Sequence, residues 1–215
     1  MDLNRHIVEM AETFLHEAFA QSDQPRDAKA YRLEHSYRVA NIGRRIAEKE
    51  GLDETCMVIA CLLHDIAYCR ELKTPEEQRG HGRISAQLAR PFLQTLELSE
   101  EQINDICYAI AIHVDNEADF EWHRSVFAET LSDADNIDRF DAYRIYEGLN
   151  YVDFQGMTLR EKRNRVDSML EQLKKLQAFP MATETAAAIW QQRLAYFISF
   201  YERLNRQLAD SDMIH

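Results

Sequence analysis

Eight apolar residues in a row, Cys56-Met-Val-Ile-Ala-Cys-Leu-Leu63, run directly into His64-Asp65, after which Ile66 and Ala67 resume the apolar pattern. A segment that is apolar on every side has no face to give to water, so it belongs at the centre of whatever fold encloses it. An unpaired carboxylate is costly to bury there. Asp65 therefore demands a cation, a hydrogen-bond network or a metal. The remaining elements have to enclose this segment and supply that partner.

They read as helices. Six glycines and four prolines are few for 215 residues, and 3.6-residue periodicity recurs along the chain without a convincing strand pattern. The spacing predicts helices over 2–20 and 27–49, the second stopped by Gly51. A third starts from an Asp53 cap and runs to Cys69, and the polar stretch RELKTPEEQRG after it reads as a connection. A fourth begins near Gly80 and passes Leu88, with Pro91 forcing a kink or a break. Ser99-Glu-Glu-Gln102 is a capping box opening a helix over 100–114. The link DNEADFEW leads to a helix over 124–147 that ends near Gly148. A second capping box, Thr158-Leu-Arg-Glu161, opens a helix to about 177, and the last covers 183–209 with an aromatic stripe from Trp190 to Tyr201. The expectation is an all-α, compact multi-helix bundle. It forms one domain over 1–215, in which helices 158–209 pack on a core of about 27–147.

Charge and composition narrow the function. A net charge of −12 argues against a nucleic-acid polymer as partner, because phosphate backbones attract basic surfaces. A small nucleotide needs only a local cluster of cations and stays open. No stretch approaches the roughly 18 apolar residues of a membrane span. The start, MDLNRHIVEM, lacks the features of a signal peptide. Cys56, Cys61, Cys69 and Cys107 form no CxxC pair and read as reduced thiols of a cytoplasmic protein.

A His-Asp pair alone means little, since chance gives roughly 0.6 of them in a chain with this many histidines and aspartates. Its neighbours on other helices matter more. His35 heads the stripe Val39, Ile42, Ile46; His81 heads Ile84, Leu88, Phe92; and His113 ends the stripe Ile103, Ile106, Ile110. Asp135 follows Leu131 by four residues. Each inward face thus ends in a side chain able to bind metal. One histidine on an apolar face is usually a hydrogen-bonded core residue. Several on helices that pack together also suit a divalent cation, which neutralises Asp65 and Asp135 as neutral imidazoles cannot. Pattern alone leaves both readings open. His6, His16 and His123 fall outside it and read as surface residues, and Asp133 and Asp138 as capping or charge residues.

The order His35, His64-Asp65, Asp135 resembles the HD-domain superfamily of metal-dependent phosphohydrolases. The contexts LEHSYRVANIGRRIAEKEGLD, CLLHDIAY and LSDADNIDRF carry the resemblance over residues 27–145. HGRISAQLA at His81 and AIAIHVD at His113 resemble the additional ligands of members that hold two metals. The resemblance implies His35, His64, Asp65 and Asp135 around one ion and Asp65, His81 and His113 around a second, with Fe, Mn, Zn, Mg or Co as the metal. His81 follows Asp65 by only 16 residues, closer than that subgroup usually has it. No GYP motif follows, so nothing points to a cyclic dinucleotide.

One-metal members often carry an acid just after the dipeptide. Here Glu71 is the nearest, which favours activation of water by metal, with Asp65, His81 and His113 as the catalytic set. Phosphate needs cations at the mouth, and Lys73, Arg79, Arg83 and Arg139 are the candidates. The leading expectation is hydrolysis of a phosphate ester or anhydride in a nucleotide or other small metabolite. The alternative is a di-iron oxygenase of the same superfamily, which uses nearly the same ligands on a small organic substrate.

Overall fold

The computed structural model describes residues 4–212, which form helices and turns with no β-strand among them. The chain divides into two compact units, Met1–Asn136 and Ile137–His215.

The first unit is built round α3 (Glu54–Leu63), which packs on α1 (Arg5–Ala20), α2 (Arg26–Glu50) and α6 (Glu100–Ile112). Every residue from Thr55 to Leu63 is buried, as an all-round apolar helix must be. Its start is tied down on two sides. The Asp53 side chain caps Cys56 N–H at 3.0 Å and accepts a 3.1 Å bond from Gln102 at the head of α6. The backbone N–H of Asn4, before α1, donates to Thr55 Oγ1 at 2.8 Å. Gly43 lets α2 approach closely, since a Cβ there meets Cys61 Sγ at 2.6 Å. Gly51 closes α2 in the left-handed region, φ 69°.

The helix expected to reach Cys69 stops at Leu63. His64 caps the helix with helical dihedrals, Asp65 leaves the helical path at φ −108° and ψ 15°, and Ile66–Cys69 forms a 3₁₀ turn. Ser85 Oγ, fully buried on α5 (His81–Leu93), accepts from Ala67 N–H at 3.1 Å and fastens that turn to α5. The stretch read as a bare connection contains α4 (Pro75–Arg79), whose Thr74 and Glu77 make a reciprocal capping box. Pro91 lies inside α5 without ending it; the helix continues to Leu93. The Ser99–Gln102 capping box opens α6 as expected.

The helix expected over 124–147 is two, α7 (Val126–Asp138) and α8 (Ala142–Tyr151), separated where Asp141 takes φ 110° and its carboxylate caps Ala142 N–H. Gly148 lies within α8 rather than at its end. In the second unit α9 (Leu159–Leu176) begins at the Thr158–Glu161 capping box and packs on α10 (Glu184–Ala209). Of the aromatic stripe, Trp190, Phe197 and Tyr201 are core, with Phe140 edge-on to Trp190 at 4.8 Å, whereas Phe200 is half-buried and Tyr196 is exposed. Of the expected first helix, residues 2–3 lie outside the described ones.

Candidate metal centre

Three of the histidines are placed by one local device. A helix leaves its last carbonyls without intrahelical partners, and an imidazole just beyond can take one. His64 Nδ1 lies 2.7 Å from Cys61 O at the end of α3, and His113 Nδ1 lies 2.7 Å from Ile110 O at the end of α6. His81 Nδ1 repeats the contact with Gln78 O at 2.7 Å, at the end of α4. A carbonyl only accepts, so Nδ1 carries a proton in all three rings, which makes Nε2 the atom that can offer a lone pair to a metal. All three Nε2 atoms point to Asp65 or its neighbours.

Around Asp65 the geometry splits in two. Oδ2 lies 3.7 Å from both His35 Nε2 and His64 Nε2, which are 3.3 Å from each other. Asp135 Oδ1 closes that side at 3.2 Å from His35 Nε2 and 3.8 Å from His64 Nε2. Oδ1 of Asp65 faces the other way, 3.1 Å from His81 Nε2 and 3.8 Å from His113 Nε2. Two donors about 2.1 Å from one ion stand about 3.0 Å apart at a right angle and about 3.4 Å apart at the tetrahedral angle. The spacings fall at and a little above that range. His35, His64 and Asp135 form one group with metal-ligand spacing, and His64, Asp65 and His113 another.

The donor set fits a divalent cation on its own chemistry. Asp65 Oδ1 is fully buried and accepts no hydrogen bond, although His81 Nε2 stands nearby. Lone pairs from imidazoles and carboxylates therefore meet with too few protons between them, an arrangement a cation resolves. Charge tells the same story. Burial pushes the Asp65 carboxyl up, but His64, His113, His81 and Arg32 outweigh it and hold it well below the usual carboxylate range. Burial lowers His64 to about 4, the carboxylates only partly opposing it, so this ring stays neutral. Burial also works against a charged His113, yet the Asp65 and Asp135 carboxylates and the Ile110 carbonyl raise it above the ordinary value.

Gly82 sets the distance between the two histidine-bearing helices of the second group. A Cβ there would lie 2.6 Å from Ala111 O, 2.8 Å from Ile110 O and 3.1 Å from His113 Nδ1. Only hydrogen lets α5 and α6 come this close beside His81 and His113.

All six expected ligands thus meet in one place. The four expected phosphate cations have other surroundings. Arg83 is turned to an acidic cluster, Asp115 at 2.7 Å, Glu117 at 3.1 Å and Asp119 at 3.7 Å. Arg79 pairs with Glu76 at 2.9 Å in solvent, and Lys73 is exposed before α4. Arg139 is exposed just beyond α7. His6, His16 and His123 are exposed, whereas Asp133 and Asp138 are buried.

Sequence reasoning missed Arg32. Its Nη1 donates to Asp65 Oδ2 at 2.6 Å, and its guanidinium carbon lies 3.5 Å from the centre of the Tyr68 ring. The signal was present: Arg32 precedes His35 by three residues, one turn along the same helix face.

The HD domain family matches residues 32–143, more than half of the chain, and the chain belongs to that family. A predicted HD superfamily hydrolase from an uncultured Thermotogales bacterium shares its fold with TM-score 0.61 and 24% identity, over 95% of this chain and 92% of that one. Bacillus subtilis YpgQ, solved in complex with ADP, superposes with TM-score 0.64 at 18% identity, covering 94% and 95%. A Lactobacillus plantarum protein gives 0.59 at 21% identity, covering 98% and 100%. No curated protein matches the chain in sequence. Among the described residues no helix is long and apolar enough to cross a membrane.

Proposed function

We propose that the chain is a metal-dependent phosphohydrolase that cleaves a phosphate ester or anhydride in a nucleotide or another small phosphorylated metabolite. The observation that carries this reading is the division at Asp65, whose two oxygens face two separate sets of imidazoles. His35, His64, Asp65 and Asp135 hold one divalent cation, and Asp65, His81 and His113 hold a second. Bound there, the ions supply Lewis acidity toward a phosphoryl oxygen and lower the pKa of water, the chemistry a phosphoester needs. The chain's own part is preorganisation. The backbone carbonyls of Cys61, Gln78 and Ile110 fix three imidazole rings with Nε2 toward Asp65.

Two relatives support the reaction class and the ligand: one described as a predicted HD superfamily hydrolase, the other solved with ADP. Lys73 remains a candidate for phosphate; Arg79 has a carboxylate partner in Glu76, and Arg83 has partners in Asp115 and Glu117. Free thiols at all four cysteines suit a reducing, cytoplasmic setting.

The test is a hydrolysis screen of nucleotides and phosphorylated metabolites with Mn, Mg, Fe, Co and Zn each supplied to metal-stripped protein. The reading requires phosphate or pyrophosphate release that depends on an added ion and disappears in Asp65→Ala. Dioxygen consumption by an iron-loaded, coloured protein that releases no phosphate from any substrate would instead make it an oxygenase.

A further inference from the structure

Beside Asp65 lies a cavity of about 340 Å³ that none of the expected ligands lines. Its walls include Arg32, Tyr68, Arg70, Glu71, Gln24 and Gln78. Arg32 is held there by two different contacts. One N–H reaches Asp65 Oδ2, and the flat guanidinium face rests on Tyr68. A guanidinium has five N–H donors in a fixed fork, and this one uses a single nitrogen on Asp65. Its side chain is 26% exposed, so the rest of the fork opens to the cavity rather than to core. Arg70, exposed on the same wall, makes no ion pair among the described residues. Two arginines thus share a concave site in a protein of net charge −12, one touching the carboxylate at the heart of the candidate centre.

An arginine needed only to neutralise Asp65 has no reason to keep its remaining donors open beside a second arginine. Resting on the phosphohydrolase reading above, we infer that Arg32 and Arg70 form the anion subsite of this centre, which takes the phosphoryl oxygens of the substrate in the cavity next to Asp65. Arg32 supplies directional hydrogen bonds from a guanidinium that Tyr68 and Asp65 hold in place, so little side-chain freedom is lost on binding. Arg70 supplies charge from the rim.

The test uses full-length protein loaded with Mn and inorganic phosphate as the probe, with binding followed by calorimetry. Metal content of every variant is measured first. Arg32→Ala is expected to keep the parent's metal content at saturating Mn and to weaken phosphate binding about tenfold or more, as loss of a charge-assisted hydrogen bond does. Arg32→Lys should recover part of the loss, keeping charge but not the fork. Arg70→Ala should weaken phosphate by a smaller factor and leave metal content unchanged. If Arg32→Ala is poorly folded, Arg32→Lys and Arg70→Ala carry the same comparison.

Phosphate affinity within twofold of the parent in these variants overturns the inference. So does a loss that vanishes once metal content is restored, because Arg32 then serves only to position Asp65. Phosphate that fails to bind the loaded parent also overturns it. The phosphohydrolase reading stands or falls separately, on ion-dependent hydrolysis by the parent. Arg32-dependent phosphate binding without hydrolysis of any substrate keeps the subsite and removes the reaction.

Discussion

Gly82→Ala perturbs the centre without replacing a ligand. A methyl group at this position is built 2.6 Å and 2.8 Å from two backbone oxygens of α6, Ala111 and Ile110. Ordinary carbon–oxygen contact is about 3.3 Å, so α5 must retreat from α6 by roughly 0.5–0.7 Å, and neither oxygen can rotate away. Overpacking of this kind costs about 1–3 kcal/mol, equivalent to a melting temperature lower by about 2–12 °C in a chain of this size. The displaced segment begins at His81 and abuts His113, so weaker metal binding should accompany the lost stability. Gly148→Ala is the control: nothing lies within 4 Å of its Cβ, and it sits inside α8, where alanine should be neutral or stabilising by under about 1 kcal/mol. Scanning calorimetry with Mn titration of both variants provides the readout. A Gly82→Ala protein with the parent's melting temperature and metal affinity would refute the claim that close approach of α5 and α6 builds the second half of the centre.

Ser85→Ala leaves the buried N–H of Ala67 without its acceptor and should destabilise the protein by about 1–3 kcal/mol in urea unfolding. In metal-stripped protein His64 should cost stability as pH falls from 6.5 toward about 4, because it is protonated in the unfolded chain before it is in the folded one, while His113, raised in the fold, acts in the opposite sense. The His64 contribution is complete above 6.5 and gone below its folded value, which melting curves at stepped pH will show as a slope reduced in His64→Gln. Asp65→Ala should lose both metal retention and activity, since both halves of the centre meet at this carboxylate; full metal content by elemental analysis would contradict its assignment.

What the sequence made legible, and what it did not, follows from the range of the interactions involved. Caps at Asp53, Ser99 and Thr158 act over three residues, and all three helices start where those side chains place them. The apolar stripes behind His35 and His113 are buried as expected, and these residues converge with His64, Asp65 and Asp135. The stripe read for His81 is not: Leu88 is exposed, Ile84 and Phe92 are half-buried, and α5 buries Gly82, Ser85, Ala86, Ala89 and Leu93 instead, so His81 reaches Asp65 from the first residue of α5 rather than from an apolar face. The end of α3 was hidden because Ile66 and Ala67 continue the apolar pattern, while the imidazole of His64 takes the Cys61 carbonyl. The break between α7 and α8 carries no glycine or proline, only Asp141 in a backbone region unusual for aspartate. Arg83 looked available for phosphate because Asp115, Glu117 and Asp119 lie 32 or more residues further on, and only folding brings them to it. Arg32 could be placed on the His35 face from its spacing, but its contacts with Asp65 and Tyr68 are made only by folding.

The central claim is that one carboxylate, Asp65, stands between two cations. Anomalous diffraction from crystals grown with excess Mn tests it most directly, because it counts the ions and places them against named side chains. Two peaks are expected about 3.5–4 Å apart. One should be ligated by His35, His64, Asp65 and Asp135, the other by Asp65, His81 and His113, and the second should vanish in His113→Ala. A single peak under saturating Mn, with His81 and His113 bound to no ion in the parent, would contradict it.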